Sequence, residues 1–316
     1  MNKTIPIFYT IDENYAPYFS VAVASLVDHV SDENDYTVNV VYRGLTEDSI
    51  NKLKTLEKDN VHIRFTDIND KIKPIEDKLN NQAKKTHFPI SVYFRIFLPV
   101  MFPEYDKGIY IDSDTVLNDD IANFYNIDLE GKLLGGIYDS SIIDTPFTSY
   151  LEGVIGVPRH EYINSGVLLM NIKELREREF EKHFLYLINK YDFEVVAPDQ
   201  DYINAMLKEE IKHLPLKWNS MPVLGKEGIA NPSLIHYNLF LKPWHYRDAQ
   251  YADLFWSYAN KSLFKDRIVE ELNSFTDERK ENDKKTMEYM FEQAKRIEAK
   301  EITFKSVFEN GLEKRI

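Results

Sequence analysis

The stretch KGIYIDSDTVL, from Lys107 to Leu117, decides the fold and raises the first question about function. It joins a short hydrophobic run to two aspartates, Asp112 and Asp114, with only Ser113 between them. A run of this kind is typical of a buried strand. Two carboxylates so close together repel each other, which makes the end of such a strand a costly place for them. The stretch therefore predicts a buried strand that ends beside a positive group.

The residues before this stretch alternate between strand and helix patterns. Three segments have the pattern of strands: IPIFYTI (Ile5–Ile11), YTVNVVY (Tyr36–Tyr42) and VHIRF (Val61–Phe65). A helix is predicted after the first strand, because one helical face collects Phe19, Ala22, Val23, Leu26 and Val30. Thr46 is placed as the N-cap of a second helix. This alternation predicts an α/β fold with a mixed, mostly parallel sheet flanked by helices.

Acidic residues follow several of the predicted strands. They are Asp12, Asp67, Asp112 and Asp114. Ligands of α/β folds gather at the carboxyl ends of the strands, so one edge of the sheet is expected to collect negative charge. Carboxylates two residues apart at such an edge can both turn toward a hard cation, Mg²⁺ or Mn²⁺. A turn or a helix cap is the alternative interpretation of an isolated D-x-D.

Two later segments carry further candidate groups. Asp199-Gln200-Asp201 is a second D-x-D, but it follows Pro198 and is interpreted as a helix start with Asp199 as N-cap. In HYNLFLKPWH, His236 closes a short predicted strand and could offer an imidazole nitrogen to a metal, the alternative being a hydrogen-bonded structural histidine. Lys242 could meet a phosphate as a point charge. The sequence has no Walker-type glycine loop, so a phosphate would be neutralised by metal and lysine.

Composition disfavours several classes of protein. A net charge of −13 disfavours a nucleic-acid binder, whose partner is itself an anion. The absence of cysteine excludes disulfides, thiolate nucleophiles and cysteine metal sites, and it fits a reducing cytosol. No apolar run reaches the roughly 18 residues that a membrane span needs, and the N-terminus lacks the layout of a signal peptide. We expect a cytoplasmic protein, with peripheral contact at the inner face of the membrane as a second option.

The pattern changes near residue 247. Residues 1–247 are predicted to form the α/β domain, and residues 248–316 a helical, highly charged C-terminal extension. Late in this extension, apolar residues recur at helical spacing: Met287, Met290, Phe291, Ala294 and Ile297. These helices are expected to pack on the domain or on one another. The alternative is a contact surface for the acceptor or for a second protein chain, in an oligomer or with another partner.

Six segments, taken in order, resemble glycosyltransferase family 8. They are FYTIDENYA, SVYFRIFLP, YIDSDTVL, YINSGVLLMNI, PDQDYINAML and HYNLFLKPWH, which together span about Ile5 to His245. Within the family, the chain resembles bacterial lipopolysaccharide galactosyltransferases and enzymes similar to general stress protein A. The resemblance implies the GT-A fold of nucleotide-diphospho-sugar transferases, a UDP-sugar donor, retention of anomeric configuration and a Mn²⁺ cofactor, with Mg²⁺ as a substitute.

The resemblance also implies roles for particular residues. The metal would be held by Asp112, Asp114 and His236. Contacts to the nucleotide would come from Thr10, Ile11, Asp12, Asn14 and Tyr15, with Ser113 near the ribose and Lys242 on the diphosphate. The donor sugar would be surrounded by Arg95, Asn164, Ser165, Asp199 and Gln200, of which Asp199 and Gln200 are the implied catalytic residues. One position departs from the family, which often has glycine where this chain has Leu239.

The implied activity is that of a hexosyltransferase. It would move galactose, or next glucose, from a UDP-sugar to a glycan, lipooligosaccharide or glycoprotein acceptor. Because Gln200 is an amide and a poor nucleophile, same-face substitution is preferred over a double displacement. Two alternatives remain: a non-catalytic nucleotide-sugar-binding protein, and a metal-dependent phosphohydrolase, which would need a water-activating base and more metal ligands.

Overall fold

The chain folds into two compact units that are interleaved along the sequence. The computed structural model describes residues 3–69, 73, 90–142, 145–223 and 225–316. The first unit is built from Met1–Asp70, Gly108–Asp128 and Pro215–Asp283, and the second from Lys71–Lys107, Leu129–Leu214 and Lys284–Ile316. The helical C-terminal segment therefore contributes to both units. The predicted boundary at residue 247 stays a prediction.

The first unit contains a parallel sheet and a small antiparallel pair. Its strands are β1 (Lys3–Asp12), β2 (Asn34–Arg43), β3 (Val61–Asp67), β4 (Gly108–Ile111), β5 (Thr115–Leu117) and, later in the chain, Leu234–His236. β1 pairs in parallel with β2 and β4, and β2 pairs in parallel with β3. Strand β5 pairs antiparallel with Leu234–His236. The strand ends of β1 and β4 therefore share one edge of the parallel sheet.

The second unit contains the three strands β6 (Leu134–Tyr138), β7 (Ile163–Met170) and β8 (Ile211–His213). We number Leu234–His236 of the first unit β9. β6 pairs antiparallel with β7 and in parallel with β8, with a register shift between Gly136 and Ile137. A Cβ atom at Gly136 would overlap the side chain of Ile163, so this close approach requires glycine.

Helices surround these strands in each unit. Those of the first unit are Ala16–His29, Glu47–Lys54, Ile121–Tyr125, Ala252–Ala259 and Lys265–Ser274, with a 3₁₀ turn at Leu216–Trp218. Those of the second are Leu98–Met101, Thr148–Tyr150, Ile172–Glu177, Phe180–Lys190, Pro198–Met206 and Phe304–Glu309, with 3₁₀ segments at Ile90–Phe97 and Lys208–Glu210 and a π segment at Leu151–Ile155. Helix Asp277–Glu298 contains residues of both units.

The predicted elements agree with the structure in type. Strand pairs among the described residues are mostly parallel, so the predicted mixed, mostly parallel α/β fold is confirmed. The first helix buries its predicted apolar face up to Leu26, while Val30 is the C-cap. Thr46 caps the second helix by accepting the N–H of Ser49 at 3.1 Å. Helices Ala252–Ala259 and Lys265–Ser274 place Phe255, Ala259 and Ile268 in the same core cluster as residues of β5 and β9.

Candidate active site

Three predicted metal ligands meet where β4, β5 and β9 come together in the first unit. Asp112 and Asp114 lie in the link between β4 and β5, and His236 is the last residue of β9. Thr115 lies opposite His236 in the antiparallel pair, and the N–H of Tyr237 donates to the carbonyl of Asp114 at 2.9 Å. The register of this short pair therefore brings the histidine beside the second aspartate.

The three side chains form a compact set of oxygen and nitrogen atoms. Nε2 of His236 lies 3.2 Å from Oδ1 of Asp114 and 3.8 Å from Oδ2 of Asp112. One candidate ligand atom from each residue lies within 4.8 Å of the other two. The predicted grouping is therefore present, and we call Asp112, Asp114 and His236 the triad. That the triad binds an ion stays a prediction.

A hydrogen bond on the far side of the histidine orients it. Nδ1 of His236 lies 3.0 Å from Oδ1 of Asn219. With the amide oxygen as acceptor, Nδ1 carries the proton and Nε2 presents its lone pair to the carboxylates. Two carboxylates and a neutral imidazole are suitable ligands for Mn²⁺ or a similar divalent cation. The donor set therefore fits the implied metal.

The positive group beside the aspartates is Lys242. Its buried ammonium pairs with Oδ2 of Asp114, whereas Oδ1 of the same carboxylate faces His236. Burial acts to raise the pKa of Asp114, but the neighbouring charge of Lys242 outweighs it and holds this pKa well below its usual range. Asp114 therefore stays ionised, with one oxygen toward the lysine and one toward the triad.

A hydrogen-bonded chain connects Asp112 to the first strand. The hydroxyl of Tyr110 donates to Oδ1 of Asp112 at 2.5 Å and lies 2.9 Å from Oγ1 of Thr10. Thr10 thus supports the triad through Tyr110, in addition to its predicted contact with the nucleotide. Ser113 is buried between the two aspartates, and the side chain of Ile11 is buried in the core. A contact from Ile11 to a nucleotide would therefore have to come from its backbone.

The end of β1 turns back on itself around Asp12. Oδ1 of Asp12 accepts the N–H groups of Asn14 at 2.9 Å and Tyr15 at 3.1 Å. Burial raises the pKa of Tyr15, and the charges of Asp114, Asp112 and Asp12 raise it further. The tyrosine hydroxyl therefore stays protonated near the triad. We call residues 12–15 the first turn.

A second polar cluster lies wholly in the second unit and begins with a buried ion pair. Nε of Arg95 lies 3.0 Å from Oδ2 of Asp199, and both side chains are almost completely buried. Nη1 of Arg95 donates to the carbonyl of Ser165 at 2.5 Å. The predicted residues Arg95, Asp199 and Ser165 are thus brought together. The interpretation of Asp199 as N-cap was wrong: Ala197 holds that position and Pro198 begins the helix.

Gln200 is the centre of this second cluster. Its Oε1 accepts the N–H of Ser165 at 3.0 Å and Nδ2 of Asn164 at 3.2 Å. Its Nε2 donates to Oδ2 of Asp139 at 3.0 Å, and Nδ2 of Asn164 lies 3.1 Å from the same oxygen. Both ends of the carboxamide are therefore held by named partners. The Gln200 oxygen acts here as a hydrogen-bond acceptor with a fixed direction.

At Leu239, where the family often has glycine, the backbone has a conformation that glycine favours. Leu239 has φ +54°, the left-handed region that glycine adopts without cost. The chain after His236 therefore keeps a glycine-like turn despite the leucine, and the strain is held by the surrounding fold.

Sequence reasoning missed three residues of these clusters: Tyr110, Asn219 and Asp139. Tyr110 precedes Asp112 by two positions, so the period of a strand places both on one face and could have identified it. Asp139 directly follows β6, and the rule that picked acids at strand ends would also have found it. Asn219 follows a 3₁₀ turn far along the chain and has no comparable signal. Asp67, which was expected at the charged edge, is exposed and accepts the N–H of Asn69.

Comparisons with known proteins find relatives over most of the chain. The chain is 25% identical over 262 residues to the lipopolysaccharide 1,2-glucosyltransferase of Escherichia coli K12, covering 77% of this chain and 74% of the relative. It is 23% identical over 254 residues to general stress protein A of Bacillus subtilis, covering 74% of this chain and 85% of the relative. Among solved structures, the galactosyltransferase LgtC in complex with donor and acceptor sugar analogues is 22% identical, with a TM-score of 0.68, and the match covers 82% of this chain and 96% of that one.

These similarities show which fold and which family the chain has. The fold is the GT-A fold of glycosyltransferases. Residues 6–248 match glycosyl transferase family 8, and the chain belongs to that family. Across the described parts of the chain, no helix combines the length and the apolar character needed to cross a membrane.

Proposed function

We propose that the chain is a metal-dependent, retaining hexosyltransferase that uses a UDP-sugar. The observation that carries this proposal is the triad, in which two carboxylates and an oriented imidazole converge beside a buried lysine. Family membership supports the transferase class. The relatives named above include a glucosyltransferase and a galactosyltransferase, which supports glucose or galactose as the transferred sugar.

In this proposal the residues of the first unit bind the diphosphate. Asp112, Asp114 and His236 would hold Mn²⁺, which as a Lewis acid would stabilise negative charge on the leaving UDP. Lys242 would add a second fixed positive charge, because its ammonium already lies beside Asp114. Thr10, Asp12, Asn14 and Tyr15 would contact the nucleoside.

The second cluster is assigned to the sugar. Asp199, oriented by Arg95, would accept hydrogen bonds from sugar hydroxyls. Gln200 would place its carboxamide dipole at the developing positive charge of the sugar, since its Nε2 is held by Asp139. Asn164 and Ser165 would complete this set.

The proposed reaction is a substitution on one face of the sugar. The bond between the anomeric carbon and the phosphate oxygen breaks, and the acceptor oxygen forms its bond on the same face. The acceptor proton passes to the departing phosphate. An amide whose oxygen already accepts two hydrogen bonds is a poor nucleophile, which favours this route over a glycosyl–Gln200 intermediate.

The test is hydrolysis of a panel of UDP-sugars by the purified full-length chain. We expect turnover of UDP-galactose or UDP-glucose with Mn²⁺, loss of turnover in EDTA and recovery when Mn²⁺ is restored. Binding of UDP-sugars without turnover of any donor, with or without a glycan acceptor, would instead support a nucleotide-sugar-binding protein. Release of inorganic phosphate from simple phosphate esters would support a phosphohydrolase. The glycan, lipooligosaccharide or glycoprotein acceptor and a cytoplasmic location remain proposals.

A further inference from the structure

A cavity in the first unit has one wall made by residues that lie beyond the family match. Its volume is about 540 Å³, within the usual range of small-molecule sites. One side is formed by Asn14, Tyr15 and Tyr18, with Trp244 beside them. Helix Lys265–Ser274 contributes Arg267, Glu270, Glu271 and Ser274 to the lining, whereas the family match ends at residue 248. We call that helix the wall helix.

The cavity adjoins the triad. The first turn, which carries Asn14 and Tyr15, continues from β1, where Thr10 is linked through Tyr110 to Asp112. On the other side, the ammonium of Lys242 lies 5.5 Å from the ring centroid of Trp244. A diphosphate held by the triad and Lys242 would therefore have this cavity next to one of its ends.

The lining suits a planar, polar ring. The rings of Tyr18 and Trp244 stack at 3.8 Å with an interplanar angle of 15°, and Tyr15 meets Tyr18 edge to face at 5.6 Å. These two rings cover one face of each other and Trp244 is almost completely buried, so the aromatic surface left for a nucleobase to stack on is that of the partly buried Tyr15 and Tyr18. The exposed amide of Asn14 offers both a donor and an acceptor to the polar edge of a base.

Arg267 connects the wall helix to the first turn. Its Nη1 lies 3.0 Å from Oε1 of Glu13, and its Nη2 donates to the backbone carbonyl of Glu13 at 3.1 Å. Oε1 and Oε2 of Glu13 also accept from Ser49 and Thr46. Arg267 lines the cavity as well, so one side chain both fixes the turn and borders the space beside it.

We propose that the wall helix, through Arg267, takes part in recognition of the donor nucleoside, which the proposed function already places at the first turn beside this cavity. The inference rests on the proposed function and deepens it. Arg267 acts as a positioning residue through Glu13. The C-terminal segment thus serves the donor side of the reaction, although every donor motif recognisable in the sequence precedes residue 246.

The test compares the binding of UDP and of inorganic pyrophosphate by calorimetry, with Mn²⁺ present, to the full-length chain and its variants. Arg267→Ala should raise the Kd for UDP on the order of tenfold and leave that for pyrophosphate unchanged, because only UDP carries a nucleoside. Arg267→Lys should restore part of the affinity. Lys265→Ala, which removes the same charge from an exposed site on the same helix, should change neither Kd.

A second variant tests occupancy of the cavity without removing the Glu13 contact. Ser274 lines the cavity, so Ser274→Trp should weaken UDP binding by filling it, while Lys265→Trp should not. UDP affinity equal to the wild type in both Arg267→Ala and Ser274→Trp would overturn the inference. So would an equal loss of pyrophosphate affinity, or a loss confined to transfer to an acceptor. If the wild-type chain itself binds no UDP with Mn²⁺, the proposed function fails first.

Discussion

Individual residues of the triad are not equivalent, because their burial differs. Asp112 is about one quarter exposed, whereas Asp114 is buried and also neutralises Lys242. Removing the Asp114 charge would leave the buried lysine without that partner, a change that costs about 3–5 kcal/mol of stability in comparable pairs. Asp112 is therefore the cleaner position at which to test the metal.

We expect Asp112→Asn to lower UDP-sugar turnover on the order of a hundredfold or more while the free energy of unfolding changes little. The matched control is Asp67→Asn, an exposed acid that ends strand β3 of the same sheet but lies outside the triad. Steady-state turnover and Mn²⁺ titration followed by electron paramagnetic resonance measure the two effects. Unchanged Mn²⁺ affinity in Asp112→Asn would contradict the assignment.

Gln200 and Asp139 form one unit, since Asp139 fixes the amide that Gln200 presents. Gln200→Ala should lower turnover roughly ten- to a hundredfold yet leave measurable activity, because the role is electrostatic and positional. Asp139→Ala should cost a similar factor, and the double variant little more than either single one. Complete loss in Gln200→Ala, with folding and UDP binding intact, would favour covalent catalysis. If the two losses multiply in the double variant, Gln200 and Asp139 act independently, which would contradict this prediction.

Asp201, the neighbour of Gln200, gives stability a particular pH dependence. Burial raises the pKa of Asp201 to about 6 from an ordinary 3.8, although Tyr150 and Tyr162 donate to it. The folded state holds the Asp201 proton more tightly than the unfolded state does. Protonated Asp201 therefore adds to the free energy of unfolding fully below about pH 4, and this stabilisation is lost as pH rises through 6. The loss amounts to roughly 3 kcal/mol.

Asp201→Asn should remove this pH dependence. Urea unfolding of both proteins between pH 4 and 8 measures the difference in their free energies of unfolding. We expect that difference to move in favour of the variant as pH rises and to level off above pH 7. Parallel pH curves for the two proteins would contradict the prediction.

At the scale of elements, sequence patterns predicted what depends on local periodicity. β1 to β4 and helix Ala16–His29 follow from alternation and from one apolar face. The antiparallel pairing of β5 with β9 could not be predicted, because each strand has only three residues and their pairing joins distant parts of the chain. That pairing places His236 beside Asp114. The resemblance to the family, and not the periodicity, therefore linked this histidine to the aspartates.

The irregular pairing of β6 with β7 is a second such case. Gly136 lies at the register shift, which is needed to pair Ile137 with Asn164 in the second cluster. In Gly136→Ala the added methyl group would overlap Ile163, and we expect a loss of about 1–3 kcal/mol of stability. Gly153→Ala, where an added Cβ meets nothing within 4 Å, is the control. Thermal unfolding measures both, and equal Tm values for the two variants would show that the strands tolerate a wider spacing.

At the scale of the whole molecule, the C-terminal segment is built into the core of each unit. In the first unit Ile268 of the wall helix is completely buried, and in the second unit Phe304 is completely buried. Charge and helical periodicity predicted helices in this segment, but they did not predict which core residues these helices pack against. The sequence alone predicts that removal of residues from about 270 onward leaves UDP-sugar hydrolysis largely intact but weakens transfer to the native acceptor. Because these side chains are buried in the core, we now expect truncation to reduce hydrolysis as well.

Phe304 shows why truncation should affect hydrolysis. Its ring packs against Phe193 at 4.1 Å and Tyr202 at 4.8 Å, and Tyr202 lies on helix Pro198–Met206, which also carries Gln200. The last residue of the chain, Ile316, donates its N–H to the carbonyl of Met206 at 3.2 Å and so satisfies the end of that helix.

We therefore expect Phe304→Ala to cost about 3–5 kcal/mol of stability, whereas Ile302→Ala, at a site that is 62% exposed, should cost less than about 0.5 kcal/mol. Deletion from residue 270 onward should lower the unfolding temperature further and reduce hydrolysis and acceptor transfer together, because the helix that bears Gln200 loses its packing. Urea unfolding and UDP-sugar hydrolysis, measured on the same preparations, test both expectations. A truncated chain that unfolds cooperatively at the wild-type temperature and hydrolyses donor at the wild-type rate would show that these contacts are dispensable.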